Sequence, residues 1–578
     1  MIHHEVHEGN EEKDKKMKNR QQLNYLQHQY IYCIYCKLLC LKYLQNLSSV
    51  ISILSSEPYT YDNAQQKLTE TITYGTEIFN STYSYHPDGQ KASYTGIDAT
   101  TYSFYYNNLG ILQNIVIPNE GNISSQNFQW NRPQTINYPG GITRTLAYDG
   151  LQRINSINVQ DTSNQTLMNY DYTYTPTGNI TNKNTEHGNY IYGYDNLDRL
   201  TTADYPTLTD ETFTYDALGN RKTDSNTGIT QWLYNQNNQL LNSVNNQFTY
   251  DANGSQIEET DASGQLLKQY IYNTENRLAE IKDENNQTIA TYYYDPLGRR
   301  LSKTITNPDT STTTTYFHYN DEGYSAEKTN GQIISYLFSP QNTWSTSPIL
   351  KRENNTYYYY QNDHLGTPNI LHDKQGLVVN AREMKAFGEW ENSTDIINSN
   401  FAFAGQYKDF EKKALYNYFR DYRADIGRYI ISDPINLNDG MNIYMYSNSN
   451  PILYIDELGL CYGFPNLSNT PCPIPPWPLC LLTGGCPHNY VPDTTRMESF
   501  ASGVYSCIKC NVKCLWDFAG GDILEAAAEK AVEKAMAKRA SELAKQLTKY
   551  TWRVIGKVSV VFKVRDAIKF VKCEAKCF

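Results

Sequence analysis

Apolar and polar positions alternate with a period of two through much of residues 58–400, and recur every three to four residues after residue 522. The first period predicts strands and the second helices. The clearest alternation is Thr212-Phe213-Thr214-Tyr215, hydroxyls on one face and rings on the other, as in a strand wetted on one side. In the C-terminal region Leu524, Ala528, Val532, Met536, Ala540, Leu543, Leu547 and Tyr550 form one stripe. Gly556 interrupts it, and Val561, Val564, Ile568, Val571 and Ala575 form another. Two amphipathic helices are predicted there. Between the two regimes, residues 461–490 are rich in Pro, Cys and Gly and read as a linker or cystine-tied loop.

The predicted strands are punctuated by a repeat. Its fullest copies are Tyr215-Asp216-Ala217-Leu218-Gly219-Asn220-Arg221 and Tyr294-Asp295-Pro296-Leu297-Gly298-Arg299-Arg300. Looser copies begin at Tyr148, Tyr194 and Tyr250, and degenerate ones at Tyr85, Tyr174 and Tyr272. The Asp starts a turn by accepting bonds from its own backbone, and the Gly takes the positive φ that closes a short hairpin loop. The Arg can reach back to the Asp or stack on a neighbouring Tyr. One hairpin cannot bury its face alone, so stacked hairpins should form a continuous sheet.

Composition supports strands over helices in this region and narrows the function classes. The chain has 51 Tyr against 18 Phe, and only 19% of its residues are charged. A net charge of −11 argues against non-specific nucleic-acid binding by the chain, and the repeat region is not expected to bind nucleic acid. Residues 522–578 differ, with 13 Lys/Arg against 7 Asp/Glu, which marks a boundary. Cysteines also cluster: three between Cys33 and Cys40, nine between Cys461 and Cys577, and none from 41 to 460. A signal peptide can be read from Met17, but Lys37 and Lys42 break its apolar part. Cys33, Cys36 and Cys40 lack a fourth metal ligand, and neither metal nor cofactor is expected.

The repeats resemble the YD repeats of the Rhs family, whose strands spiral into a hollow shell around the C-terminal part of the same polypeptide. A second block strengthens the resemblance. Asp363-His364-Leu365-Gly366-Thr367-Pro368, Phe403-Ala404-Gly405-Gln406-Tyr407, Leu415 to Tyr422 and Gly427-Arg428-Tyr429 are similar to the Rhs repeat-associated core. His364 invites reading as a catalytic base, but no matching nucleophile lies near it, and a hydrogen-bonded turn residue is the expectation. The resemblance implies an aspartyl self-cleavage site in which two Asp-Pro-x-Gly-Leu motifs supply Asp433 and Asp456. The cut would fall between Leu460 and Cys461. Two adjacent carboxyls suit peptide hydrolysis, because one stays protonated as acid while the other activates water. Asn436 stands where Gly is expected and Glu457 where Pro is expected, with one extra residue near Ser449. Alternatively, both aspartates merely cap turns. Autoproteolysis is the only catalysis expected.

The resulting organisation is a leader (1–57), a YD-repeat β-shell (58–350), a core domain (351–460), a Pro/Cys-rich linker (461–521) and a variable helical domain (522–578). Such a wall covers at most about 5,500 Å², against roughly 6,000 Å² needed to enclose residues 461–578, so a partial shell is expected. Cys510, Cys514, Cys573 and Cys577 place sulfurs on two helical faces, as candidate disulfides or a four-thiolate zinc site. No nuclease cluster is evident, and the basic C-terminal helices are compatible with a membrane surface. Two functions follow. One, implied by the resemblance to the Rhs family, is a secreted or cell-surface bacterial toxin carrier with secretion machinery and an immunity protein as its expected partners. The other is an adhesive cell-surface protein whose Tyr faces bind carbohydrate or protein.

Overall fold

The computed structural model describes residues 59–463 except 75–76, 225–231, 244, 296, 341 and 343. The described residues all belong to one compact unit, Glu57–Asn489. The leader, most of the linker, the helical domain and the four candidate cysteines lie outside them.

Among the described residues the fold is a meander. Sixteen strands from Tyr59–Tyr61 to Arg221–Asp224 form one antiparallel sheet in sequence order, and sixteen from Leu233–Tyr234 to Trp390–Asp395 form a second. A four-stranded sheet follows, from Tyr407–Asp409 to Arg428–Tyr429. The strand Glu211–Tyr215 shows the expected alternation, with Glu211 and Phe213 buried and Thr212 and Thr214 exposed.

Each repeat closes as a hairpin with a positive-φ residue at the end of its loop. In the best copy, Asp216 Oδ1 accepts the backbone N–H groups of Leu218 and Asn220 at 2.8 and 2.9 Å. Gly219, at φ 78°, donates to the Asp216 carbonyl. Where Gly is missing, Gln152, Asp198, Asn238 and Asn276 take the same conformation. The residue four places after the Asp then binds its second oxygen. Arg153, Arg199 and Arg299 do so through Nε at 2.7 Å. In the 215–221 copy that partner is Asn220, at 2.9 Å, and Arg221 instead lies over the rings of Phe213 and Phe387. The guanidinium also joins neighbouring repeats: Arg199 donates to the Asp216 carbonyl and stacks over Tyr215.

The tyrosine excess has a structural cause beyond an amphipathic face. The motif Tyr of one repeat donates its hydroxyl to a backbone carbonyl just past the preceding turn. Tyr194 reaches Ile180, Tyr215 reaches Leu200, Tyr250 reaches Leu240, Tyr272 reaches Gln256 and Tyr294 reaches Leu278, all at 2.7–3.0 Å. Phe would fill the same space and leave those carbonyls short of a donor.

The two large sheets are bonded to each other at a long and fairly regular separation in sequence. Lys67 pairs with Asp321 at 2.7 Å, Lys91 with Glu322 at 2.6 Å and Arg352 with Asp98 at 2.8 Å. Arg144 donates to Gln361 at 3.2 Å.

Residues 401–460 dock onto the row of repeat turns. Asn450 donates to Asn179 and to the Asp198 carbonyl, Asn442 to Asn220 and the Leu218 carbonyl, and Tyr444 to the Gly254 carbonyl. Tyr418 reaches the Leu297 carbonyl at 3.0 Å. A Cβ added to Gly254, at φ 83°, would stand 2.6 Å from the Tyr444 hydroxyl. At that position the repeat needs Gly for its backbone and for the approach of its neighbour.

Candidate functional site

The four-stranded sheet positions the chemistry. Its hairpin Ala414–Asn417 and Arg420–Arg423 turns through Tyr418, and places Asn417 and Arg420 beside Tyr429 of the next strand. Arg420 is 1% exposed, with its guanidinium 3.7 Å above the Tyr429 ring. One nitrogen, Nη1, is 2.9 Å from Asp433 Oδ2, and the other, Nη2, is 2.9 Å from Asp456 Oδ2. The two aspartates singled out from the motif are therefore brought together, but across a cation.

Each aspartate is further tied to its own loop. Asp433 Oδ1 accepts the Ile435 N–H at 2.8 Å. Asp456 Oδ2 accepts the Tyr429 hydroxyl at 2.8 Å, and its Oδ1 accepts the N–H of Leu460 at 2.9 Å. Asn417 donates to the Asp456 carbonyl, and Arg420 Nε to the Gly459 carbonyl. Leu460 is 1% exposed and packs with Tyr418, Phe419 and Ile435. The two departures from the expected motif have different weight. Asn436 stands at φ 56°, the conformation the missing Gly would supply and one Asn tolerates. Glu457 instead brings a further carboxyl beside Asp456.

Burial dominates the electrostatics. It pushes the Asp433 carboxyl up to about 6, against the pull of Arg420. Burial, then the neighbouring Asp456 charge, pushes Glu457 up to about 7, and does the same to Asp439. Burial works against the Arg420 charge, yet Tyr429, Asp456 and Asp433 hold its pKa above the ordinary value. The site can thus keep protons on carboxyls near neutral pH while fixing the loop that carries Leu460.

His364 is a turn residue: its Nε2 bonds the Ile452 carbonyl at 2.8 Å, its ring packs 4.6 Å from Tyr172, and burial lowers its pKa. Cys461 is disulfide-bonded. No metal-binding group occurs among the described residues. Sequence reading assigns no role to Arg420 or Asp439. The signal for Arg420 is a cation set among aromatic residues, whereas Asp439 lies in a loop with no periodicity to mark it.

The Teneurin YD-shell family model matches residues 124–452, more than half of the chain. The chain belongs to the YD-shell family. Relatives of this YD-shell protein include the double-stranded DNA deaminase toxin A of Burkholderia cenocepacia, 27% identical over 283 residues. That match covers 44% of this chain and 19% of the relative. The probable deoxyribonuclease RhsB of Dickeya dadantii is 25% identical over 422 residues, covering 69% of this chain and 28% of the relative. The YD-shell chain thus spans under a third of the length of these relatives. The crystal structure of TcdB2-TccC3-Cdc42 shares the fold at a TM-score of 0.57 and 16% identity, over 69% of this chain and 23% of that one.

Proposed function

We propose that this YD-shell protein carries residues 461–578 as an effector and releases it by hydrolysis after Leu460. The supporting observation is the clamp itself: Asp456 holds the N–H of Leu460 while Arg420 joins Asp456 to Asp433. A pair of carboxyls that only capped turns would not need a shared buried cation, which costs desolvation energy. In this reading Asp433 and Asp456 are the acid–base pair, and the domain limits are those predicted from sequence. Two relatives are named for a deaminase toxin and a probable deoxyribonuclease, which supports a toxic effector, an immunity partner and export from a bacterial cell.

Intact-mass measurement of the full chain tests the proposal. Wild type is expected as two fragments meeting at Leu460 and Cys461, and Asp456→Asn as one uncut chain. A wild-type chain that stays whole overturns self-cleavage and favours the adhesive alternative.

A further inference from the structure

Tyr429 and Asn417 stand beside the two aspartates without a part in the chemistry described above. Tyr429 is buried, and its ring lies 3.7 Å beneath the Arg420 guanidinium. Asn417 Nδ2 is 2.8 Å from the Asp456 carbonyl oxygen and 2.8 Å from the Tyr429 hydroxyl. A carbonyl only accepts, so the amide nitrogen faces it, and the second amide hydrogen goes to the hydroxyl oxygen. With that oxygen accepting, the hydroxyl hydrogen is left for Asp456 Oδ2, 2.8 Å away.

Hydrogens therefore reach Asp456 from three directions. Oδ2 accepts the Tyr429 hydroxyl and Arg420 Nη2, and Oδ1 accepts the Leu460 N–H. A carboxylate, which accepts at both oxygens, satisfies all three. Asp433 differs, with the Ile435 N–H on one oxygen and Arg420 Nη1 on the other. The backbone is closed around Asp456 as well: Gly463 exchanges both backbone bonds with Ile455, at 3.0 and 2.8 Å. Asp456 and the Leu460–Cys461 bond thus share one closed loop.

We propose that Tyr429 is a positioning residue of the cleavage site, its hydroxyl directed by Asn417 so that Asp456 is held as the proton acceptor. This rests on the self-cleavage reading above. Water adds to the Leu460 carbonyl carbon, and the proton lost by water passes to Asp456. The C–N bond breaks, the electron pair stays on nitrogen, and the Asp433 proton completes the Cys461 amine. One water is consumed, and the pair ends with its single proton on the other carboxyl. Burial, then the Asp456 charge, holds the Tyr429 phenol well above its ordinary range, so the hydroxyl keeps its hydrogen to donate. The other titratable groups whose charge acts with that of Asp456 are Asp433, Asp439, Glu457 and Tyr446.

The test follows cutting of the full chain after in vitro translation, from pH 5 to 8.5, in wild type, Tyr429→Phe, Tyr422→Phe and a chain carrying 3-fluorotyrosine at position 429. Phe keeps the ring under Arg420 and removes only the hydroxyl. A carboxylate that loses such a donor takes up its proton at higher pH. The acid side of the Tyr429→Phe profile should move up by about one pH unit, with cutting about tenfold slower there. 3-Fluorotyrosine, a stronger donor of nearly the same shape, should move it down. Tyr422 is the control: its buried hydroxyl bonds the Phe387 carbonyl at 2.8 Å within the same aromatic cluster, and Tyr422→Phe should keep the wild-type profile. A wild-type profile in the chains altered at position 429 overturns the positioning role and leaves self-cleavage standing. If wild type is uncut at every pH, both fall. Circular dichroism reads folding, and the fluorinated chain retains the test should Phe disturb it.

Discussion

Arg420 holds Asp433 with one guanidinium nitrogen and Asp456 with the other, each at 2.9 Å and all three side chains within 2% of full burial. Removing the cation leaves two buried carboxyls facing each other. Arg420→Met should lower the unfolding free energy by about 3–5 kcal/mol, read from denaturant midpoints. Adding Asp433→Asn and Asp456→Asn should recover much of that loss. A single-variant change under about 1 kcal/mol would show that the clamp holds little.

The raised carboxyls give the closing loop a pH dependence of unusual sign. Asp433 at about 6 and Glu457 at about 7 bind protons more tightly folded than unfolded. Their contribution is complete below the ordinary carboxylate range, near pH 4, and is lost as pH rises through 6 to 7. Amide exchange at Leu460 and Tyr462, corrected for intrinsic rates, should therefore be slower at pH 5 than at pH 8. Asp433→Asn combined with Glu457→Gln should flatten the difference.

A second buried cluster behaves oppositely. Asp409 is fully buried between Arg300, Lys303 and Lys412; burial opposes its charge, but these cations hold its carboxyl well below the usual range. Its stabilising contribution is present above the ordinary carboxylate range and disappears only in strong acid. Asp409→Asn should cost about 3–5 kcal/mol at pH 7. The deficit relative to wild type should narrow in strong acid, as melting curves at neutral and acid pH will show.

The hydroxyl ladder predicts that Tyr272→Phe and Tyr294→Phe each cost about 1 kcal/mol, and that the pair is close to additive. Tyr293, 63% exposed and outside the ladder, is the control, and Tyr293→Phe should melt like wild type. Equal melting temperatures for all three would sink the account.

Two glycines with the same backbone separate strain from contact. Gly264, at φ 86°, has nothing within 4 Å of an added Cβ, whereas Gly254, at φ 83°, would meet Tyr444 and Ser432. Gly264→Ala should cost about 1 kcal/mol, and Gly254→Ala a further 1–3 kcal/mol from overpacking. Equal costs would mean that the docking of residues 401–460 yields freely.

The repeats are legible because a hairpin is local: the Tyr, Asp and Gly of one copy carry its strand, turn and closure within seven residues. Asp295 with Arg299 behaves as the motif predicts. Arg221 does not, because Asn220 occupies the position that reaches Asp216. The bonds between the two sheets were not legible. Lys67 and Asp321 are 254 residues apart, and no local pattern announces such a partner. The site was half legible. Asp433 and Asp456 sit in recognisable motifs, whereas Arg420 gains its meaning only when the four-stranded sheet folds.

The backbone pair between Ile455 and Gly463 has a consequence for timing. It lies three residues downstream of Leu460, so the proposed cut would sever the chain without undoing this latch. The new end, Cys461-Tyr462-Gly463, would still be seated on the shell. Chemistry and departure become separate events: hydrolysis arms the molecule, and whatever later peels Gly463 from Ile455 sets the moment of discharge.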